Sequence, residues 1–322
     1  MNTMSLINFS LYFMTIIFSL SANSWVLIWI SMEMNLLMFI FLMMETPISI
    51  TKTESTLKYF LIQSISSVMF ITSINSNLIF YNEKLIINAI LPPIALMIKS
   101  GMAPVHSWSP PVVSKFSYKS LMLFMTIQKL VPMFLIFSSW IWILPLMTIF
   151  NITVGSLGGL IQNSLIKMMI FSSINNTGWM LMTMMDSFLL FWIYFANYMM
   201  FTLMMMNFLS KIQIKWILQV KSNKMFIKWY YFSIMMSMSG FPPFVGFTPK
   251  WLTIKYLFFN NMISILICIF LSIFTLFFYL KSCINMISSS FMTKKWMTNT
   301  PYNITVKSLI NLTGPMTYFM MV

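Results

Sequence analysis

Four ionisable side chains lie deep inside long apolar runs, and their types suit proton transfer. They are Glu33 in Trp29-Ile-Ser-Met-Glu33-Met-Asn35, Lys99 ahead of Ser100-Gly101-Met-Ala-Pro104, Lys129 in Gln128-Lys129-Leu-Val-Pro132, and Lys250 after Thr248-Pro249. An ammonium at the centre of a bilayer costs roughly 2.5–3.5 kcal/mol on insertion scales. Residues kept at that cost mark ion pathways, relays or buried pairs. None of the four has an opposite charge three or four residues away, so any neutralising partner sits on another helix. Glu33 is the deep acid, and its partner is expected among the deep lysines. Separating a buried Glu–Lys pair makes the lysine give up its proton, which turns the pair into a coupled switch. The single histidine, His106, reads either as a proton relay or as a hydrogen-bonding residue that holds a broken helix.

Composition narrows the remaining classes. The chain has 322 residues, of which 59% are hydrophobic and 7% charged, with a mean hydropathy of +0.85. Soluble domains carry about 25% charged residues. The hydrophobic share is spread along the whole length, which describes a polytopic membrane protein. The net charge is +14, but the lysines are scattered, whereas a nucleic-acid-binding protein clusters them on a soluble face. Cys268 and Cys283 have no metal-ligand spacing and read as small buried hydrophobes. The sequence has no glycine-rich nucleotide loop and no cysteine cluster. Redox, nucleophilic and metal chemistry therefore have no footing. The 37 methionines and the many Ile, Phe, Asn and Lys residues match AT-rich codons, which suggests an animal mitochondrial genome. No Arg-rich transit peptide opens the chain, as expected of a product made inside the organelle.

The elements that must position the four residues follow from bilayer thickness. A hydrocarbon core takes about 20 apolar residues as helix. That ruler places eleven spans near 3–22, 25–44, 56–80, 86–108, 120–140, 143–162, 165–185, 187–209, 229–256, 262–286 and 304–322. The expected fold is an all-α polytopic membrane protein, residues 1–322 forming one transmembrane domain. Lysines gather in the even loops: Lys52, Lys115, Lys119, Lys167 near a helix start, the run Lys211 to Lys228, and Lys281 to Lys307. The odd loops hold Lys84 beside Glu83, Asp186 and Lys255. The positive-inside rule then puts the amino terminus and the even loops on the matrix side.

Two spans break in corresponding places. The fourth is interrupted at Gly101-Met-Ala-Pro104 and the ninth at Gly240-Phe-Pro-Pro-Phe-Val-Gly246-Phe-Thr-Pro249. Proline removes a backbone donor, and a break at membrane depth is tolerated only inside protein or along a wet cavity. With the first ten spans divided into two fives, each break falls on the fourth helix of its set. An odd repeat length inverts the second set. The pattern predicts two inverted five-helix repeats, near 1–140 and 143–286, with discontinuous fourth and ninth helices and one extra helix at 304–322.

These stretches, together with Thr53-Glu54-Ser-Thr-Leu-Lys58-Tyr59-Phe60, Val105-His106-Ser-Trp108, Gly158-Gly159-Leu-Ile-Gln162, Phe171-Ser172-Ser173-Ile174 and Lys250-Trp251, resemble the subunit 2 family of mitochondrial NADH:ubiquinone oxidoreductase (respiratory complex I) in its short animal form. The resemblance runs in order over nearly the whole chain. It implies an antiporter-like, proton-translocating subunit of the membrane arm in the mitochondrial inner membrane. The implied partners are other membrane-arm subunits, neighbouring antiporter-like subunits and lipids. FMN, iron–sulfur clusters and ubiquinone are implied elsewhere in the complex, with no cofactor, metal, redox centre or NADH site on this chain. Glu33 matches the family's switch glutamate, Lys99 its partner lysine, Lys129 the central lysine and Lys250 the lysine toward the exit half. Two positions depart from the pattern: Pro111 stands where an acid is usual, and Asn176 where vertebrate members often have histidine.

The expected mechanism is a relay. A change in a neighbouring subunit opens Glu33–Lys99, and the proton released at Lys99 passes along waters to Lys129 and on to Lys250. The alternatives are a subunit of an Mrp-type cation/proton antiporter, which shares the broken helices, and a non-conducting scaffold of the membrane arm.

Overall fold

The structure is a computed structural model, and it describes residues 3–45, 49–79, 86–213, 216–217, 225–258 and 262–288. The expected eleventh span, 304–322, lies outside them, as do Lys84, Lys215, Lys221, Lys224, Lys294, Lys295 and Lys307. Among the described residues every regular element is helical, beside one isolated bridge between Ser164 and Trp216. Among them six stretches, one of them the interrupted Tyr118–Ser139, are long and apolar enough to cross a membrane, so the chain is a multi-pass membrane protein. It divides between Leu144 and Pro145 into two compact units.

The first unit contains α1 (Thr3–Ser21), α2 (Trp25–Met44), α3 (Ile50–Ile79), α4 (Ile86–Ser100), α5 (Ser109–Val113), α6 (Tyr118–Met125) and α7 (Leu130–Ser139). Helix α1 packs on α2 and α7, α2 on α3 and α6, α3 on α4 and α5, and α4 on α7. Ser24 and Ser117 start α2 and α6 by accepting the backbone N–H groups of Leu27 and Ser120, satisfying donors that have no partner within the helix. Outward positions such as Ile17 and Leu57 are apolar, as a lipid-facing surface requires.

The second unit contains α8 (Leu144–Ile161), α9 (Leu165–Met184), α10 (Phe188–Ile212), α11 (Met225–Ser239), α12 (Phe247–Leu257) and α13 (Met262–Ser288). Helix α9 is buried nearly all round although it carries Ser172, Ser173, Asn175, Asn176 and Thr177. It packs on α10 and α12. A Cβ at Gly155 of α8 would lie 2.6 Å from the Asn175 backbone nitrogen, so α8 and α9 approach at backbone distance, the small-residue packing typical of membrane helices.

Both breaks expected from glycine and proline are present, and they are made the same way. Gly101 and Gly240 take φ of 67° and 77°. At the first, Met102 N–H bonds Met97 O and Gly101 N–H bonds Ile98 O. At the second, Phe241 N–H bonds Met236 O and Gly240 N–H bonds Ser237 O. This six-to-one and five-to-two pairing is a Schellman motif, and its left-handed residue is best supplied by glycine. The shared Ser-Gly-x-x-Pro, at Ser100–Pro104 and Ser239–Pro243, is its sequence signature. Gly101→Ala should destabilise the first unit by about 1–2 kcal/mol through the left-handed backbone alone, and the new Cβ would also meet Ser109 Cβ at 3.1 Å. The expected readout is a lower thermal midpoint of the assembled protein.

The fifth span differs from expectation. Hydropathy predicts one helix over 120–140; the chain instead forms α6, a 3₁₀ turn at Ile127–Lys129, then α7. Pro132 has no N–H to give the carbonyl four residues back, and its ring crowds that carbonyl, which belongs to Gln128. The helix opens there, with Thr126 at φ −113° and ψ −82°.

Candidate functional site

Lys99, Lys129 and Lys250 are buried and stand at interruptions, and the electrostatics of the three places differ. Lys99 is in the last turn of α4 and 7% exposed. A cation there sits at the negative end of the helix macrodipole. Its backbone carbonyl accepts a hydrogen bond of 3.0 Å from Gln63 Nε2 of α3, which satisfies one of the carbonyls the helix end leaves open.

Lys250 reaches a helix end by another route. It lies in the first turn of α12, the end that disfavours a cation. The side chain runs back across Gly240, and Nζ donates to Ser239 O, the carboxyl end of α11, at 2.8 Å. Nζ also lies 5.5 Å from the centre of the Trp179 ring, within cation–π range. Glycine at 240 serves twice, since a Cβ there would also lie 2.8 Å from Lys250 Cδ. Lys250 is 6% exposed.

Lys129 closes the 3₁₀ turn and stands at the amino-terminal end of α7, where the macrodipole disfavours a cation. It is 3% exposed. Among the three lysines it alone lies between two stretches of one interrupted span.

Two small cavities accompany these lysines. In the first unit Lys99, Asn35, Gln63, Gln128 and Tyr59 line one of about 20 Å³ of room for water centres. In the second, Lys250, Asn176, Tyr194, Asn197, Tyr198 and Ser237 line another of about 20 Å³. One water needs roughly 10–15 Å³ by this measure, so each has space and polar partners for a water. Tyr194 donates to Asn176 Oδ1 at 2.9 Å. Tyr59 also joins Phe39, Trp108, Phe116 and Phe124 in an aromatic cluster with centroids 5.4–6.2 Å from its own ring, which closes one side of the Lys99 cavity with apolar rings.

Glu33 is on the flank of α2 rather than in the Lys99 cavity, which α2 lines with Met32, Asn35 and Leu36. Among the described residues the ion pairs are Lys58–Glu54 and Lys115–Glu54; Glu33 makes none within 4.0 Å. Glu33 Oε1 is buried and has no hydrogen-bond partner among the described residues, as has Trp29 Nε1 one turn earlier.

His106 lies half-buried in the linker between α4 and α5. Its Nδ1 is 3.2 Å from Pro104 O, and its carbonyl accepts both Ser109 N–H and Ser109 Oγ–H. These contacts order the linker. Sequence reasoning misses the amides Asn35, Gln63 and Gln128, the Ser239 carbonyl and Trp179. The two glutamine positions and Asn35 are visible as amides within apolar runs; the carbonyl cannot be seen without the fold.

The family model for the transmembrane region of NADH:quinone oxidoreductases and Mrp antiporters matches residues 22–275, well over half of the chain. The chain belongs to this family. One relative within the family is NADH-ubiquinone oxidoreductase chain 2 of Anopheles gambiae, 36% identical over 303 residues, covering 90% of this chain and 88% of the relative. Solved structures show the same fold. A chain of respiratory complex I from Thermus thermophilus has a TM-score of 0.76 at 18% identity, covering 96% of this chain and 77% of its own length. A chain of the Mrp complex from Dietzia also has 0.76 at 17% identity, covering 90% of this chain, which spans 61% of that subunit. Residues 22–275 of the family match take in Glu33, Lys99, Lys129 and Lys250.

Proposed function

We propose that this chain is a proton-translocating subunit in the membrane arm of an NADH:quinone oxidoreductase of the mitochondrial inner membrane, with its amino terminus on the matrix side. Redox chemistry belongs to other subunits, which carry the FMN, iron–sulfur clusters and quinone. The observation that carries this reading is the burial of Lys99, Lys129 and Lys250 at helix interruptions, two of them beside cavities that take a water. A scaffold has no use for three desolvated ammonium groups. The degree of identity to chain 2 relatives favours the oxidoreductase over an Mrp-type antiporter.

In this reading Glu33 approaches Lys99 and stabilises its charged form, and its withdrawal drives the proton off. Lys129, at the end of a helix that disfavours a cation, is a transit site. Lys250, held on Ser239 O, is a resting site in the second unit. Each of the two units completes its own lysine site. Moving one charge across the potential costs about 2.3 kcal/mol per 100 mV, a scale that opening one buried pair can meet.

Glu33→Gln and Lys99→Met test this in the assembled complex. Both should oxidise NADH with fewer protons moved per NADH. Losses that merely follow the amount of assembled complex would replace the relay with the scaffold. Sodium-dependent transport without NADH oxidation would favour the antiporter.

A further inference from the structure

We propose that the Asn35–Gln128 amide pair is a latch that sets the position of α2: it holds Glu33 away from Lys99 and must open for Glu33 to approach. The proposal rests on the relay described above and assigns positioning roles to two residues outside it.

The two amides bond reciprocally. Asn35 Nδ2 donates to Gln128 Oε1 at 3.0 Å, and Gln128 Nε2 donates to Asn35 Oδ1 at 3.5 Å. The residues are 6% and 9% exposed. The pair ties α2 to the 3₁₀ turn Ile127–Lys129 and forms part of the Lys99 cavity wall.

If α2 turns as a rigid body, the latched and approached positions exclude each other. Residues two apart on an α-helix point about 200° apart around its axis. With Asn35 turned to Gln128, Glu33 is held off the cavity. Bringing Glu33 into the direction now taken by Met32 needs a turn of about 100°, and that turn carries Asn35 off Gln128. The other end of the latch is soft. Gln128 belongs to a 3₁₀ turn, a geometry with poorer hydrogen bonds, and Lys129 N–H reaches Thr126 O at 3.3 Å. Opening the pair therefore frees the backbone that carries Lys129 at the moment Glu33 moves. A neutral pair is well suited to this role, because it adds no charge beside Lys99 and leaves the field there to Glu33.

Hydrogen-bonded amides also serve simply to glue membrane helices, and the test separates the two roles. Asn35→Ala, Gln128→Ala, the double variant and the exchange Asn35→Gln with Gln128→Asn are made in the whole complex. Assembled amount, NADH oxidation and protons moved per NADH are measured. The latch predicts assembled single variants whose protons per NADH fall as far as in Lys129→Met. It also predicts a double variant no worse than either single, and recovery in the exchange. An unchanged ratio in the singles, additive losses in the double, or singles that fail to assemble would each overturn it. If Lys129→Met itself leaves the ratio unchanged, the relay fails; if only the amide variants do, the latch fails alone.

Discussion

Lys129→Met is expected to abolish proton delivery through this chain while leaving the assembled complex intact. Methionine is close to lysine in length and flexibility and has no charge. Lys129 is 3% exposed, so methionine keeps most of its apolar packing, and it carries no buried charge whose desolvation must be met. The prediction is therefore asymmetric: normal assembly and fewer protons per NADH. The measurement is proton uptake against NADH oxidation in sealed vesicles, with assembled amount as the reference. A ratio equal to that of the unaltered complex would remove Lys129 from the path. Lys129→Arg should not rescue, because guanidinium stays protonated throughout the physiological range and cannot pass its proton on.

Gly246→Ala should be the most damaging single-methyl change in the second unit. A Cβ at this position would lie 1.7 Å from the carbonyl oxygen of Ser237 and 2.6 Å from its carbon. The obstacle is backbone, so no side-chain rotation clears it. Ser237 is also one of the residues that close α11, since its carbonyl accepts Gly240 N–H. Pushing α12 away from this carbonyl moves Pro249 and Lys250 with it, and the bond from Lys250 to Ser239 O is lost. Overpacking a well-filled interior commonly costs about 1–3 kcal/mol, and contact this short belongs at the upper end or beyond. Loss of assembled complex is the expected result. If some complex assembles, its defect should track Lys250→Met in protons per NADH. Full assembly with normal pumping would show that α11 and α12 can separate at this point without disturbing Lys250.

The breaks at Gly101 and Gly240 are legible because glycine and proline act through local sterics that need no knowledge of the fold. The interruption at Ile127–Lys129 is equally local, yet hydropathy passes over it: the signal lies in pairing Pro132 with the carbonyl of Gln128 rather than with its lysine neighbour. The flank position of Glu33 is not legible. In a soluble helix the polar face shows which side is inward, but here lipid-facing and protein-facing positions of α2 are both apolar, and hydropathy has no phase. The stripe Ile28, Ser31, Met32, Asn35, Leu36, Phe39 and Met43 emerges only from packing. Helix α9 lies between these cases. Its Ser172, Ser173, Asn175, Asn176 and Thr177 announce a helix surrounded by protein, but not that Asn176 and Trp179 would face the lysine of a later helix. The reach of Lys250 back to Ser239 O joins two segments through a backbone atom, and no residue type encodes it.

The enclosure of α9 also bears on biogenesis. This helix is not among the six apolar enough to cross a membrane unaided, because its centre is built of amides and hydroxyls. It leaves the ribosome before α10 and α12, two of the helices that cover it. A translocon that released each helix into lipid as it emerged would leave α9 with an unfavourable partition. Insertion of α9 together with the helices that cover it would remove that penalty.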